Sequence, residues 1–215
     1  MYFAEGWARW QGLMQQIGVF DHSNTFNQLM VAYSEPHRFY HTTEHIAACL
    51  RELELTRNLA ESPAEVELAL WFHDAVYDVR SHTNELDSAQ WAVQFLQHAG
   101  DGLTISSEHV YDHILATAHL SSIPEAPTPE VSTDSALVVN IDLTILGQHP
   151  AIYNQFEANI RREYQHVSID LYRQKRREVL QHFLHQPEIF SMMYFRERYE
   201  RAARQNLEGA ISSLS

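Results

Sequence analysis

Apolar residues recur at intervals of three and four along nearly the whole of this 215-residue chain. That is the period of a helix with one buried face, and it does not fit the strict alternation of a half-buried strand. Trp7, Trp10, Leu13, Met14 and Ile17 form one such stripe, and Phe26, Leu29, Met30 and Tyr33 the next. A third helix is predicted to begin near Thr42 or Thr43, residues suited to an N-cap, and to run through Ile46, Leu50, Leu53 and Leu59. Ser62-Pro63-Ala64-Glu65 reads as a capping box with proline in the first helical position, opening the run Val66, Leu68, Ala69, Leu70, Phe72. Further helices are predicted near 84–99, stopped by Gly100, near 107–120, and from about Thr133 to Leu146, ended by Gly147. Others follow near 150–166, 169–185 and 189–212. The segment Leu137 to Ile141 has a strand-like composition inside its helical surroundings. Ser121 to Pro129, rich in proline, reads as a loop. Seven glycines and seven prolines are too few for a turn-rich all-β chain. The expectation is an all-α, bundle-like single domain over residues 1–215, its short connections joining antiparallel neighbours.

Charge narrows the function classes. Fifteen basic against 28 acidic residues give a net charge of −13, which disfavours general binding of nucleic acid. The one cysteine, Cys49, rules out an intramolecular disulfide and fits a reducing compartment. No stretch approaches the ~18 apolar residues of a membrane span. The N-terminal segment carries Glu5 and Arg9 within its apolar pattern and lacks a basic-then-apolar signal layout. A soluble cytoplasmic protein is expected.

The chemistry lies in four places: Tyr40 to His45, His73-Asp74, His119 and Asp142. His73-Asp74 ends an otherwise apolar helix, directly after Trp71-Phe72. Two titratable groups there must be satisfied, because an unpaired buried charge is costly. A metal ion satisfies both; a capping aspartate beside a half-buried histidine is the plain alternative. His41 and His45, four apart, can share one face of a helix start. If the turn lies near Glu61, sixteen residues lead up from His45 and twelve lead back to His73. At ~1.5 Å per residue an antiparallel pair then brings the two histidines within about 6 Å of the same height. Asp142 interrupts a third apolar stripe at Asn140-Ile141-Asp142-Leu143, where a cation is the economical partner. Two imidazoles and two carboxylates suit a borderline divalent ion such as Mn, Fe, Zn or Ni, with positions left open for water.

The order His, His-Asp, Asp on successive helices resembles the HD superfamily of metal-dependent phosphohydrolases. Tyr40-His41-Thr42-Thr43-Glu44-His45-Ile46 is similar to the start of the cyclic-nucleotide phosphodiesterase motif, tyrosine-histidine-asparagine-x-x-histidine. A closer resemblance, to proteins described as predicted metal-dependent HD phosphohydrolases, is carried by six stretches that span nearly the whole chain. They are Tyr33 to Ile46, Trp71 to Asp78, Asn84-Glu85 with Ser88-Ala89, Ile141 to Gly147, Ile160 to Tyr164 and Ala203 to Leu207.

The resemblance implies an HD-type, phosphodiesterase-like helical bundle holding one or two divalent ions (Mn, Fe, Zn, Ni or Mg). It implies His45, His73, Asp74 and Asp142 as ligands, and it aligns His41 with the general acid of the phosphodiesterases. There an asparagine follows the acid; here Thr42 does. Spacing leaves open whether His41 or His45 is the first ligand. Histidines between the His-Asp pair and the last aspartate serve a second ion in some HD enzymes. His109, His113 and His119 lie in that interval; His109 and His113, four apart, can chelate an ion between them, and His119 is the one placed near the substrate.

Asp78 and Glu85 belong to the matched stretches. Glu85 is a candidate base, a second-ion ligand, or a first-turn carboxylate of its helix. Asp142 or Asp74 would orient the attacking water. For a phosphorylated substrate the cationic candidates are Arg38, beside the histidine pair, and Arg161. Arg161 belongs to a basic block with Arg162, Arg173, Lys175, Arg176 and Arg177 whose alternative is a solvated, ion-paired helix face. The expected reaction is hydrolysis of a phosphate ester of a small molecule, a nucleotide being one case, with neither duplex nucleic acid nor membrane as partner. Two other functions fit the same scaffold: a nucleotide or metal sensor without turnover, and a metal-dependent oxygenase.

Fourteen histidines nearly match the deficit of 13 charges. With ordinary pKa values of about 6.5 they protonate together in mild acid. A solubility minimum is therefore expected between about pH 5 and 6, read by turbidity across a pH series.

Overall fold

The computed structural model describes residues 3–100, 102–118 and 132–214. The described chain is all-α and contains no strand. Its helices are α1 (Phe3–Ile17), α2 (Ser23–Ala32), α3 (Thr43–Thr56), α4 (Pro63–Phe72), α5 (Asn84–Ala99), α6 (Ser107–Leu115), α7 (Thr133–Asp142), α8 (Pro150–Glu163), α9 (Ile169–His185) and α10 (Met193–Ser213). Short 3-10 helices follow α3 (Arg57–Leu59) and α7 (Leu143–Gly147). No helix among the described residues is long and apolar enough to cross a membrane. The chain divides into two compact units, Met1–Ile141 and Asp142–Ser215.

The first unit is built around α4. Every residue from Ala64 to Phe72 is buried, as expected of a helix that is apolar all round rather than along one stripe. Helices α1, α3, α5 and α6 pack against it. Trp10 of α1 meets Trp71 edge-on at 5.5 Å, while Phe72 stacks on Phe95 at 5.8 Å and meets Trp91 edge-on at 5.7 Å. Rings at these separations add to the area they bury.

The helix starts show where local signals hold and where they yield. Thr42 caps α3, its hydroxyl accepting from the Glu44 amide at 3.3 Å. Pro63 takes the first position of α4, but the capping box does not form, because Ser62 makes no side-chain cap. Asp134, in the first turn of α7, instead accepts from the amides of Glu61 and Ser62 at 2.8 and 2.7 Å. A carboxylate from 72 residues away thus serves the amide that Glu65 was expected to serve. Glu65 turns elsewhere and accepts from the Ser106 amide at 2.7 Å.

The strand-like run Leu137 to Ile141 is helical, with Leu137, Val138 and Ile141 fully buried. Packing on a core overrides the modest penalty of β-branching. Helix α6 ends at Leu115, earlier than predicted. The predicted loop Ser121 to Pro129 lies outside the described residues.

In the second unit, α10 begins at Met193 rather than near 189. The amides of Ile189 and Phe190 point to the Glu200 carboxylate at 3.1 and 3.2 Å, so that segment is held in place without being helical. The 3-10 helix lies against α10. Asn206 donates to the carbonyls of Leu146 and Gln148 at 2.8 and 2.9 Å. Gly147 is required for this approach: a Cβ there would stand 2.5 Å from the Tyr199 Cβ and 2.9 Å from its Cα.

Gly147→Ala is accordingly expected to cost about 2–3 kcal/mol, since backbone rather than a flexible side-chain tip must give way. A lower urea midpoint with an unchanged slope is the outcome to look for.

Candidate metal centre

The helical hairpin of α3 and α4 brings together what the heights predicted. His45 stands in the first turn of α3, 6% exposed, and His73 follows the last residue of α4, 1% exposed. Their Nε2 atoms are 3.0 Å apart. Oδ2 of Asp74 lies 3.1 Å from Nε2 of His73 and 3.4 Å from Nε2 of His45. One turn further along α3, buried Cys49 places its Sγ 3.8 Å from both ring nitrogens of His45. Ligand-capable atoms of His45, Cys49 and His73 all lie within 4.8 Å of one another.

The tautomer of His73 follows from its partner. Nδ1 is 3.0 Å from the carbonyl oxygen of Leu70, which can only accept. Nδ1 therefore carries the hydrogen, and in the neutral ring Nε2 presents a lone pair to the cluster, the usual orientation of a metal-binding imidazole. That lone pair faces a carboxylate oxygen at 3.1 Å. Burial pushes the Asp74 carboxyl up. The charges of His73 and His41, with hydrogen bonds from His45 and His73, outweigh it and hold the carboxyl well below the ordinary range. Nε2 of His73 meets that carboxylate as an N–H donor when the ring is protonated, and a divalent ion shared by the two would take the place of that proton.

The spacing suits a metal. Ligands bound at 2.0–2.2 Å stand about 2.8–3.6 Å from each other for angles between a right angle and the tetrahedral one. The three separations seen here, 3.0, 3.1 and 3.4 Å, lie in that interval. The donor set of nitrogen, oxygen and nearby sulfur matches a borderline divalent ion.

Surrounding residues fix the turn that carries Asp74. Arg38 is buried and donates to the carbonyls of Asp74 at 2.6 Å and Ala75 at 3.0 Å, and to the Glu35 carboxylate at 2.9 Å. Its guanidinium also lies 5.2 Å from the centre of the Tyr33 ring and 5.4 Å from that of Tyr77. Arg38 thus sits beside the cluster, as expected, with its donors spent on the backbone. The Ser88 hydroxyl accepts from the Val76 amide, and Asn84 brackets Asp78 through both its amide and its carbonyl, all at 3.0 Å. Asp78 in turn accepts from the Arg80 amide at 2.9 Å.

The other candidate residues are placed as follows. His41 is half-buried just before the cap of α3; its ring stacks on Tyr77 at 4.1 Å and stands 6.1 Å from that of His45. His45, not His41, carries the nitrogen that meets His73. Glu85 is half-buried in the first turn of α5. Asp142 is the last residue of α7, half-buried, and opens the second unit. Within that unit Arg161 donates to the carbonyls of Tyr164 at 2.7 Å and Val167 at 3.0 Å. Arg176 of the same basic block grips the Glu157 carboxylate with two bonds, 2.7 and 3.0 Å.

His119 lies outside the described residues. His113, expected to pair with His109, is buried in a group with Glu65 and Asp134. Cys49 enters the cluster without having been singled out for it; its spacing of four from His45 on one helix face was the available signal.

Comparison with protein-family models, with curated proteins and with solved structures finds no match for this chain.

Removing the Arg38 guanidinium leaves two buried carbonyls without their donor and frees the turn beneath Asp74. Arg38→Met is expected to cost about 2–4 kcal/mol in denaturant unfolding. It should also weaken zinc binding in calorimetric titration by about tenfold or more, although no candidate ligand is altered.

Proposed function

We propose that this chain binds a divalent metal ion through His45, His73 and Asp74 and hydrolyses the phosphate ester of a small molecule, a nucleotide being one case. The HD resemblance adds Asp142 as a further ligand. The observation that carries the reading is the convergence of two buried imidazole nitrogens and a carboxylate oxygen at 3.0, 3.1 and 3.4 Å from one another, with Nε2 of His73 turned inward by the Leu70 carbonyl. Cys49, beside His45, favours zinc or iron over magnesium.

A divalent ion held there supplies a coordinated water whose pKa falls toward about 7, and a positive charge for phosphate oxygens. The protein's own residues do the rest. The Leu70 carbonyl keeps the His73 lone pair turned inward. Asp74 would help to hold the ion and orient its water, whose proton would leave to solvent at neutral pH. His41, held on the face of Tyr77, gives a proton to the leaving oxygen as the P–O bond breaks. Arg38 binds no substrate oxygen; it keeps Asp74 where the imidazoles need it.

Metal-loaded protein is to be assayed with manganese, zinc, iron or nickel on phosphomonoesters, cyclic nucleotides and nucleoside triphosphates. Turnover of at least one of these is expected. His73→Ala and Asp74→Ala should lose both the metal and more than about 100-fold of that activity, with helical circular dichroism retained. Undiminished turnover in either variant would refute the assignment. Retention of a nucleotide with no product from any substrate would mark the chain as a sensor.

A further inference from the structure

A second group of ligand-capable side chains lies at the other end of α4. Glu65 belongs to the first turn of that helix, eight residues before His73, or about 12 Å along its axis. A carboxylate oxygen of Glu65, a ring nitrogen of His113 on α6 and a carboxylate oxygen of Asp134 on α7 all lie within 4.8 Å of one another. The three residues are 5%, 3% and 5% exposed.

Their present partners do not balance them. Asp134 accepts from the Glu61 and Ser62 amides, and Glu65 from the Ser106 amide; among the described residues the other group on Glu65 is Nδ1 of His109 at 3.1 Å. Two buried carboxylates are thus served by neutral amides and by one histidine whose side chain is largely exposed. Nδ1 of His113 meets the Ser135 hydroxyl at 2.8 Å, but its Nε2 is buried with no hydrogen-bond partner among the described residues. If Nε2 carries the hydrogen, it is a buried donor without an acceptor. If Nδ1 carries it, given to Ser135, then Nε2 is a lone pair beside two anions. Both states are costly. Burial pushes the His113 pKa down, against the pull of Asp134 and Glu65 and along with the push of His109, so the ring does not readily supply the missing positive charge itself.

We propose that Glu65, His113 and Asp134 form a second metal site, structural in role, that takes zinc or manganese. One imidazole and two carboxylates are an ordinary donor set for these ions. Ser135 orients the His113 ring from behind by accepting the Nδ1 hydrogen. His109, one turn before His113 on α6 and largely exposed, stands 3.1 Å from the Glu65 carboxylate. The ion would tie the start of α4 to α6 and α7, the place where the local capping box is missing. This site shares no residue with the His45–His73–Asp74 cluster and does not rest on the hydrolase reading.

The test uses the full chain carrying His73→Ala, loaded with zinc and freed of excess. One zinc per chain is expected by elemental analysis, and X-ray absorption should show a nitrogen and oxygen shell with one imidazole and no sulfur. The melting temperature of this variant should rise with zinc. Adding His113→Gln should abolish both the bound zinc and the shift. A His73→Ala chain that holds no zinc overturns the proposal. So does one whose zinc shows a sulfur neighbour, because that ion sits at Cys49. The absorption measurement leaves the second site unaltered and so stands even if the double variant does not fold. Failure of the hydrolase reading would show instead as a lack of turnover by the unaltered chain, with the zinc of the His73→Ala chain still in place.

Discussion

Helix α4 is enclosed on every side, and each polar group it carries must be satisfied where it stands. Water is not available to absorb an error. Glu65 and Glu67 lie at its buried start and His73 at its buried end. Glu67 is served by Arg9 at 2.7 Å and Arg57 at 3.0 Å, an ordinary solution by cationic side chains. Glu65 meets the Ser106 amide and Nδ1 of the largely exposed His109, and His73 meets the Leu70 carbonyl and the Asp74 carboxylate. On the readings proposed here each marks a place for a metal ion.

Much of the first cluster was legible because it depends on helix geometry alone. Counting from His45 to the turn and back to His73 uses only the rise per residue, and the rings meet at 3.0 Å. Cys49 was legible on the same ground, at four residues from His45, yet a lone cysteine reads first as a redox marker. The failures share a different cause. The capping box at Ser62 is a sound local pattern, but Asp134 supplies a better acceptor from far along the chain. His113 looks like a surface histidine because nothing nearby in sequence announces that Glu65 and Asp134 will surround it. The start of α10 is displaced by Glu200, eleven residues away from the amide of Ile189 it binds. Local propensity was overruled wherever a carboxylate reached a backbone amide across the fold.

Arginine use tells the same story from the opposite charge. Fourteen of the 15 basic residues in this chain of net charge −13 are arginine. Arg38 and Arg161 fasten carbonyls, and Arg176 fastens a carboxylate. A guanidinium that donates along two or three fixed directions defines a backbone turn better than a lysine would, since its donors are planar and rigid. The cost is that those donors are not free for a phosphate.

That cost links metal and substrate on the proposed reading. Without an ion, a phosphate approaching the His45–His73 cluster meets the anionic Asp74 and an arginine whose donors are already engaged. Attraction for an anion near neutral pH must then come from the metal. Binding of the two is positively coupled, and by linkage the phosphate tightens the ion as much as the ion tightens the phosphate. An enzyme built this way needs no dedicated basic pocket, which is why the sequence shows none around His73 and why its basic residues are found supporting turns instead.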